Sequence, residues 1–419
     1  MITNKLIWKK ICDEIFGTEN NIGTIIWERA FSPKNDAKFF SLSHDYILVY
    51  SKNIDKFEIG LLPRTAEANS RYKNPDNDPK GPWTADNMTV KTYSPAYDYP
   101  IITPTGKEIH PTNGRCWFTN KERMEELIKS GKVYFGESGE NMPRIKRYLC
   151  DVQQGMTPTT LWKYTEVGHN QEARQELKKL FNNKGYFDGP KPTRLINRIV
   201  EIANVKENDI VLDFFSGSAT TAHSIMQLNA KDHINRKYIM VQLPERTLEK
   251  TEAYIDGYKT ICDIGEERIR RAGKKIKEET NADIDYGFRV YKVDSSNMKD
   301  VYYTPTELKQ SQLNMFESNV KEDRTPEDLL TQVILNLGLT LDLSIEEKRI
   351  LNNNVYFVES NSLVACFDNI IDINIIDEIC KCKPLKIVFK ESSFKTDSDK
   401  INTFERIKKL SNETEINII

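Results

Sequence analysis

The segment Asp209–Leu228, DIVLDFFSGSATTAHSIMQL, most constrains what this chain can fold into. Its apolar first half predicts a buried strand over Ile210–Phe215. Ser216-Gly217-Ser218 then predicts a tight turn, because glycine accepts the backbone angles of a sharp turn and lets a ligand approach the main chain. A helix follows over 219–228. A strand, a turn and a helix in this order are typical of the ligand-binding edge of an α/β sheet.

The composition of the turn restricts the ligand. The Gly-Lys-Ser/Thr of a phosphate-binding P-loop is missing, and a single glycine after Phe214-Phe215 does not match the GxGxxG of dinucleotide-binding folds. The turn therefore favours a ligand with an amino-acid carboxylate or amine over a dinucleotide diphosphate. The next apolar run predicts a strand over Tyr238–Leu243. Glu245 follows it, where α/β folds bind ribose hydroxyls.

The 419 residues suggest two or three domains. We divide the chain into residues 1–57, 58–163, 164–298 and 299–419. Strands are predicted over Ile22–Trp27 and Tyr46–Ser51. The second part is rich in proline and turn signals, which indicates short strands and hairpins with one helix near Lys121–Lys129. The third part reads as α/β, with helices over 192–203 and up to 279, and the fourth alternates short strands with helices.

Composition excludes several classes of protein. No apolar run approaches the ~18 residues of a membrane span, and the start MITNKLIWKKICDEIF is not a signal peptide. The seven cysteines are irregularly spaced and only five histidines are present, so we expect no zinc site or other metal, and a cytoplasmic protein. A net charge of −2 means that any contact with DNA must be local.

LDFFSGSATTAHSIMQLN and RKYIMVQLPE closely resemble the region of β-class amino-methyltransferases that binds S-adenosyl-L-methionine (AdoMet). More narrowly, the chain resembles the modification (Mod) subunits of Type III restriction-modification systems over roughly residues 10–300. GTIIWERA, HDYILVYSKN, QGMTPTTLWKYTEVGHNQEARQELKKLF and GYFDGPKPTRLINRIVEIA carry the match elsewhere. The resemblance implies a Rossmann-like AdoMet-dependent methyltransferase sheet, a loop-rich target recognition domain inserted between its catalytic and AdoMet-binding halves, and a small α/β C-terminal module.

The resemblance also implies a reaction, the transfer of a methyl group from AdoMet to N6 of an adenine flipped out of duplex DNA. It makes Asp213 a cofactor contact, although a carboxylate there could equally cap the helix. One of the two phenylalanines would pack on the adenine ring of the cofactor and the other would be core. Thr220 and Thr221 could cap the helix or touch the ligand. The cofactor-binding residues it implies are Lys191, Asp213, Phe214, Phe215, Ser216, Gly217, Ser218 and Glu245.

The family's catalytic Asp-Pro-Pro-Tyr tetrapeptide, expected upstream of IGTIIW, is absent from this chain. Asp78-Pro79-Lys80 and Ser94-Pro95-Ala96-Tyr97 are poor substitutes, so no catalytic residue is assigned. We expect a Mod subunit that lacks its N-terminal catalytic segment and is inactive alone. Such a chain would expose apolar edges and need an upstream segment, or a second Mod copy, as partner.

DNA contacts are expected in the second part, where 15 Lys/Arg face 13 Asp/Glu. The tryptophans and tyrosines that lie between these basic residues in the sequence are expected mostly to form a small core. The last part is acidic, with 15 Lys/Arg against 21 Asp/Glu, and is read as a contact for another Mod copy or for the restriction (Res) subunit. The basic residues expected near phosphates form two clusters, Arg64, Arg71 and Lys73, and Arg144, Lys146 and Arg147.

Other functions stay open at this point. The chain could be a non-catalytic remnant that binds DNA or a partner, or a cytosine-N4 methyltransferase, since adenine rests on the resemblance alone. A small-molecule methyltransferase is disfavoured because an insert of about 100 residues suits a polymer. His169 and His223 are read as helix-surface histidines.

Overall fold

A computed structural model describes residues 2–33, 35, 37–299 and 320–419. The chain divides into two compact units, the first ending at Phe288 and the second beginning at Arg289. Residues 300–319, in the predicted C-terminal module, lie outside the described residues. Within the described ranges, no helix combines the length and the apolar character that crossing a membrane requires.

The first unit mixes helices with short strands. Its elements are, in chain order, α1 (Ile2–Phe16), β1 (Asn21–Glu28), β2 (His44–Tyr50), α2 (Ala66–Ser70), β3 (Trp83–Asn87), β4 (Thr89–Val90), β5 (Ile101–Ile102), β6 (Glu108–Ile109), β7 (Cys116–Trp117), α3 (Lys121–Lys129), β8 (Val133–Tyr134), β9 (Arg144–Tyr148), β10 (Leu161–Trp162), α4 (Tyr164–Val167), α5 (Asn170–Leu180), α6 (Thr193–Ile202), β11 (Ile210–Asp213), α7 (Thr220–Asp232), β12 (Lys237–Met240), α8 (Glu252–Ile255) and α9 (Ile261–Thr280).

Three strands form the first sheet, in the order β10–β1–β2. β1 runs antiparallel to β2 and parallel to β10, where Trp27 lies opposite Trp162. Both tryptophans are buried against Val167, Leu195 and Ile202. The two strands predicted for the N-terminal part are confirmed, and alternation along β1 buries Ile25 and Trp27 while Ile26 faces the other side.

The region between β2 and β10 contains three small antiparallel sheets, β3–β9–β8, β4–β7 and β5–β6. Its own core includes Met88, Trp117, Met124 and Phe135. The predicted short strands and hairpins are confirmed, as is helix α3, which begins where the Asn120 side chain accepts a hydrogen bond from the Arg123 N–H. The short helix α2 was not predicted, because five residues give too little periodicity to recognise.

β11 and β12 are parallel and joined through α7, which makes a βαβ unit. The helix α7 packs between α6 and α9 and is buried on nearly all sides. α9 begins in a reciprocal capping box between Thr260 and Asp263. The strands and helices predicted for this part are confirmed, although both strands end two or three residues earlier than expected.

The other face of β11–β12 is open. Ile210, Leu212, Ile239 and Val241 are each between 48% and 55% exposed. β11–β12 and β10–β1–β2 also remain two separate sheets among the described residues. The α/β class is therefore confirmed, whereas a single Rossmann-like sheet is not.

The second unit contains one five-stranded sheet with helices on both faces. The strands at 345–350, 353–358 and 363–366 are antiparallel neighbours, and those at 363–366, 386–389 and 415–418 are parallel. Leu329 and Val333, on the first helix of this unit, pack on one face of the sheet. Ile376, Ile379 and Ile407, on its other two helices, pack on the opposite face. Its elements are α10 (Pro326–Asn336), β13 (Ile345–Ile350), β14 (Asn353–Val358), β15 (Leu363–Cys366), α11 (Ile375–Cys380), β16 (Lys386–Phe389), α12 (Asp397–Leu410) and β17 (Glu415–Ile418).

Candidate cofactor-binding site

The turn between β11 and α7 has an unusual backbone. Gly217 has φ +53° and Ala219 has φ +56°, so the residues directly before and directly after Ser218 are both left-handed. The Ala219 N–H donates to the Ser216 carbonyl over 2.8 Å and closes the turn. A Cβ added at Gly217 would lie 3.2 Å from Cζ of Phe187. Both the φ of this residue and the close approach of the Phe187 ring therefore favour glycine here.

Asp213 holds the start of α7. One carboxylate oxygen accepts a 2.6 Å hydrogen bond from the Thr221 hydroxyl, and the other accepts from the Phe215 N–H over 3.4 Å. These contacts join Asp213 to a loop amide and to a side chain, and α7 has no side-chain cap hydrogen bond. The helix-capping role that the sequence left open for Asp213 and Thr221 is therefore not observed.

Phe214 and Phe215 are 60% and 66% exposed, and their ring centroids lie 5.4 Å apart. The expectation that one of them would be core is wrong. Both residues follow the end of β11, and each ring is partly covered by the other. Both present apolar surface beside the turn.

The end of the second strand contacts the turn directly. The Gly217 N–H donates to Oε1 of Gln242 over 2.8 Å, and the Ser216 N–H donates to the Val241 carbonyl over 3.2 Å. Sequence reasoning missed Gln242. The available signal was a polar residue between two apolar ones, directly after a strand. Glu245 lies three residues further on, with its side chain exposed.

Lys191 lies on the other side of this region. Its Nζ is 3.6 Å from a carboxylate oxygen of Asp45 and 4.9 Å from the ring centroid of Trp27. The ammonium is thus engaged with the β1–β2 hairpin. His44 and Asp45 are the first two residues of β2.

A buried polar cluster lies behind the turn and was not predicted. Ser218, Thr220 and His223 are buried, together with Arg268 of α9. Burial, and then the charge of Arg268, lower the pKa of His223 well below its usual value. The expectation that His223 lies on a helix surface is wrong, since α7 has no exposed face at this residue. His169 instead caps α5, where its Nδ1 accepts from the Glu172 N–H.

The first basic cluster expected at DNA is only partly exposed. Nε of Arg64 donates to Oδ1 of Asn69 over 2.8 Å, and its guanidinium lies over the Tyr72 ring. Arg71 and Lys73 are exposed.

The second cluster, on β9, divides by burial and not by strand alternation, since Arg144 and Lys146 share one face of the strand. Arg144 and Arg147 are exposed, and Arg147 pairs with Asp86 at 2.6 Å. Lys146 is buried, with Nζ 2.5 Å from carboxylate oxygens of both Asp76 and Asp78. Its charge is therefore neutralised inside the region.

The two weak matches to a catalytic tetrapeptide have structural roles. Asp78 accepts hydrogen bonds from Lys146 and from the Tyr148 hydroxyl, and the bond from Lys146 is the main reason that its pKa falls to about 2. Pro95–Tyr97 form a 3-10 turn. Among the described residues, no group of three or more His, Cys, Asp or Glu side chains is arranged to hold a metal ion.

Comparison with known proteins assigns the family. The family model described as DNA methylase matches residues 1–274. The chain belongs to the DNA methylase family. It is 33% identical to the Type III restriction-modification enzyme StyLTI Mod subunit of Salmonella typhimurium, over 74% of this chain and 45% of that protein.

Two further relatives match this chain over a larger share of their own length. The EcoP15I Mod subunit of Escherichia coli is 28% identical over 98% of this chain and 67% of the relative. The Type II methyltransferase M.KpnI of Klebsiella pneumoniae is 30% identical over 62% of this chain and 65% of the relative. The chain thus spans from about half to two thirds of the length of these relatives, and the match to Mod subunits agrees with the resemblance seen in the sequence.

Proposed function

We propose that this chain is the AdoMet-binding and DNA-recognising part of a Type III Mod methyltransferase that methylates adenine at N6. The observation that carries the proposal is the turn after β11, where Gly217 and Ala219 are left-handed and the exposed rings of Phe214 and Phe215 lie beside the turn. Membership of the DNA methylase family supports it.

The residues around the turn fit AdoMet. Phe214 and Phe215 offer exposed rings for an adenine, and the exposed carboxylate of Glu245 is suited to ribose hydroxyls. Asp213 fixes the start of α7 and Gln242 fixes the amide of Gly217, so the turn is preorganised. When bound, AdoMet supplies the activated methyl group. We assign Lys191 a positioning role, since it joins the β1–β2 hairpin to this part of the unit.

The side chains that would bind the target base come, in this proposal, from a polypeptide segment outside residues 1–419. The open face of β11–β12 supports this, because four branched aliphatic side chains there are half exposed where a complete sheet would cover them. The segment would join the two sheets into one Rossmann-like sheet. A second Mod copy is the alternative source.

DNA recognition is assigned to the region between β2 and β10. Arg71, Lys73 and Arg144 remain exposed there and are suited to phosphates, whereas Lys146 no longer belongs in that set. For the second unit we propose contact with another Mod copy or with a Res subunit, because its acidic surface would repel DNA.

The test uses tritiated AdoMet and unmethylated duplex DNA, with the chain alone and with an added segment that carries Asp-Pro-Pro-Tyr. We expect saturable AdoMet binding by the chain alone and methyl transfer only in the mixture, with label in N6-methyladenine. Label in N4-methylcytosine would reject the adenine assignment. Binding without transfer in either sample would indicate a non-catalytic remnant.

A further inference from the structure

Helix α9 carries a fully buried arginine directly behind the cofactor turn. Arg268 is 0% exposed and is among the largest buried side chains of the described chain. Its Nη1 donates to the Thr220 hydroxyl over 2.7 Å and to the Ser218 hydroxyl over 3.0 Å, and it lies 3.5 Å from the Ser218 carbonyl. One guanidinium nitrogen therefore contacts both residues that flank Ala219.

The backbone of the same turn of α9 also packs against the loop. A Cβ added at Gly265 would lie 3.3 Å from the Gly217 carbonyl oxygen and 3.5 Å from Cβ of Ala219. Gly265 and Arg268 are three residues apart and share one face of α9. Close backbone packing at one and hydrogen bonds from the other together hold the turn from its buried side.

Burying the charged guanidinium of Arg268 costs folding free energy. The groups that Arg268 contacts are hydroxyls, a carbonyl and, at 3.5 Å, Nδ1 of His223, all of them neutral at neutral pH, and its Nε is buried without a hydrogen-bond partner. Burial lowers its pKa to about 10, an effect that the charge of Glu176 partly opposes, so the group stays charged at neutral pH. A buried charge held by neutral acceptors is a poor source of stability. The hydrogen bonds of this arginine are concentrated on the strained turn, which indicates that it has a role other than stabilising the fold.

We propose that Arg268 is a positioning residue for the cofactor: it fixes the left-handed turn Gly217–Ala219 in the shape that binds the ligand. The proposal rests on the proposed function for the identity of that ligand. Ser218 and Thr220 are the side chains through which Arg268 acts, so the hydroxyl of Ser218 faces the interior and only its backbone is left to meet a ligand.

The experiment compares Arg268→Gln and Arg268→Lys with a matched control, Arg236→Gln. Arg236 is also buried in this unit, but it pairs with Asp232 at the end of α7, away from the turn. Removing either arginine should destabilise the fold. Only Arg268→Gln is expected to weaken binding of S-adenosylhomocysteine, by about 10- to 100-fold for the loss of charged hydrogen bonds that hold a binding site. Arg268→Lys keeps the charge and one donor, and should recover most of the affinity.

A second measurement does not need the ligand. Amide hydrogen exchange in the peptide 213–221 should speed up by about tenfold or more in Arg268→Gln and stay unchanged in Arg236→Gln. Unchanged exchange in both variants, or equal loss of affinity in both, would overturn the proposal. If the wild-type chain binds no S-adenosylhomocysteine but exchange rises only in Arg268→Gln, the positioning role stands and the proposed cofactor is wrong.

Discussion

Two of the sheets with parallel strands, β11–β12 in the first unit and the five-stranded sheet of the second, are completed to different degrees. In the second unit, β14, β15 and β16 are buried on both faces by helices of the same unit. In the first unit, β11 and β12 have similar aliphatic sequences, but one face of the pair is open. Similar residues thus give a self-sufficient sheet in one place and an incomplete one in the other, because what differs is the presence of a covering layer.

The largest expected effect separates the two sheets directly. Val364 lies in β15 and is completely buried. Changing Val364 to Asp places a carboxylate in a dry core with no partner, which should cost at least about 4 kcal/mol and unfold the second unit. Urea unfolding followed by circular dichroism measures this. A loss below about 1 kcal/mol would show that this sheet is not closed as described.

The second prediction concerns the region between β2 and β10, which is also complete by itself. Changing Lys146 to Met leaves the carboxylates of Asp76 and Asp78 facing each other without their cation. We expect a loss of about 3 kcal/mol, the size typical of a broken buried pair. Trp83 fluorescence reports it, since its Nε1 donates to Asp76. Arg147→Met, which breaks the exposed pair with Asp86, is the control and should cost under about 1 kcal/mol.

The same cluster predicts a pH dependence. The pKa of Asp78 falls from 3.8 to about 2 in the folded protein, chiefly because Lys146 donates to it. A lowered carboxyl pKa stabilises the fold above the unfolded value and loses that contribution as the pH falls toward the folded one. Wild-type stability should therefore fall between pH 4 and 2 more steeply than that of Asp78→Asn. If the two proteins lost stability equally steeply, Asp78 would not be the cause of the loss at low pH.

The fourth prediction addresses the open region. Changing Gly217 to Ala puts a Cβ at φ +53° and 3.2 Å from Phe187. We expect a stability loss of about 1–2 kcal/mol from the left-handed backbone. The displaced turn should also bind AdoMet at least about tenfold more weakly. Titration calorimetry and thermal unfolding on the same sample separate the two effects, and unchanged affinity would exclude the turn from the site.

Local patterns in the sequence predicted most of this structure, and contacts distant in sequence account for what they missed. The strand, turn and helix around Gly217 follow from apolar runs and a glycine. Arg268 sits in the charged run EERIRR, which looks like a solvated helix face, and only packing of α9 on α7 buries it. Lys146 is 68 residues from Asp78, so no periodicity could pair them. Phe214 and Phe215 look like core because they continue an apolar run, and the sequence does not show that both rings stay exposed after the end of β11.

The smallest expected effect completes the comparison. Leu212 lies in β11, as Val364 lies in β15, but it is 55% exposed. Changing Leu212 to Asp should alter the free energy of unfolding by less than about 0.5 kcal/mol, since the new carboxylate stays in water. It should also reduce self-association in light scattering, because a charge interrupts the apolar face. If the face binds a completing segment, the same variant should lose most of the methyl transfer recovered by adding that segment. A large stability loss in the isolated chain would mean that the face is already covered, and the contrast between the two sheets would disappear.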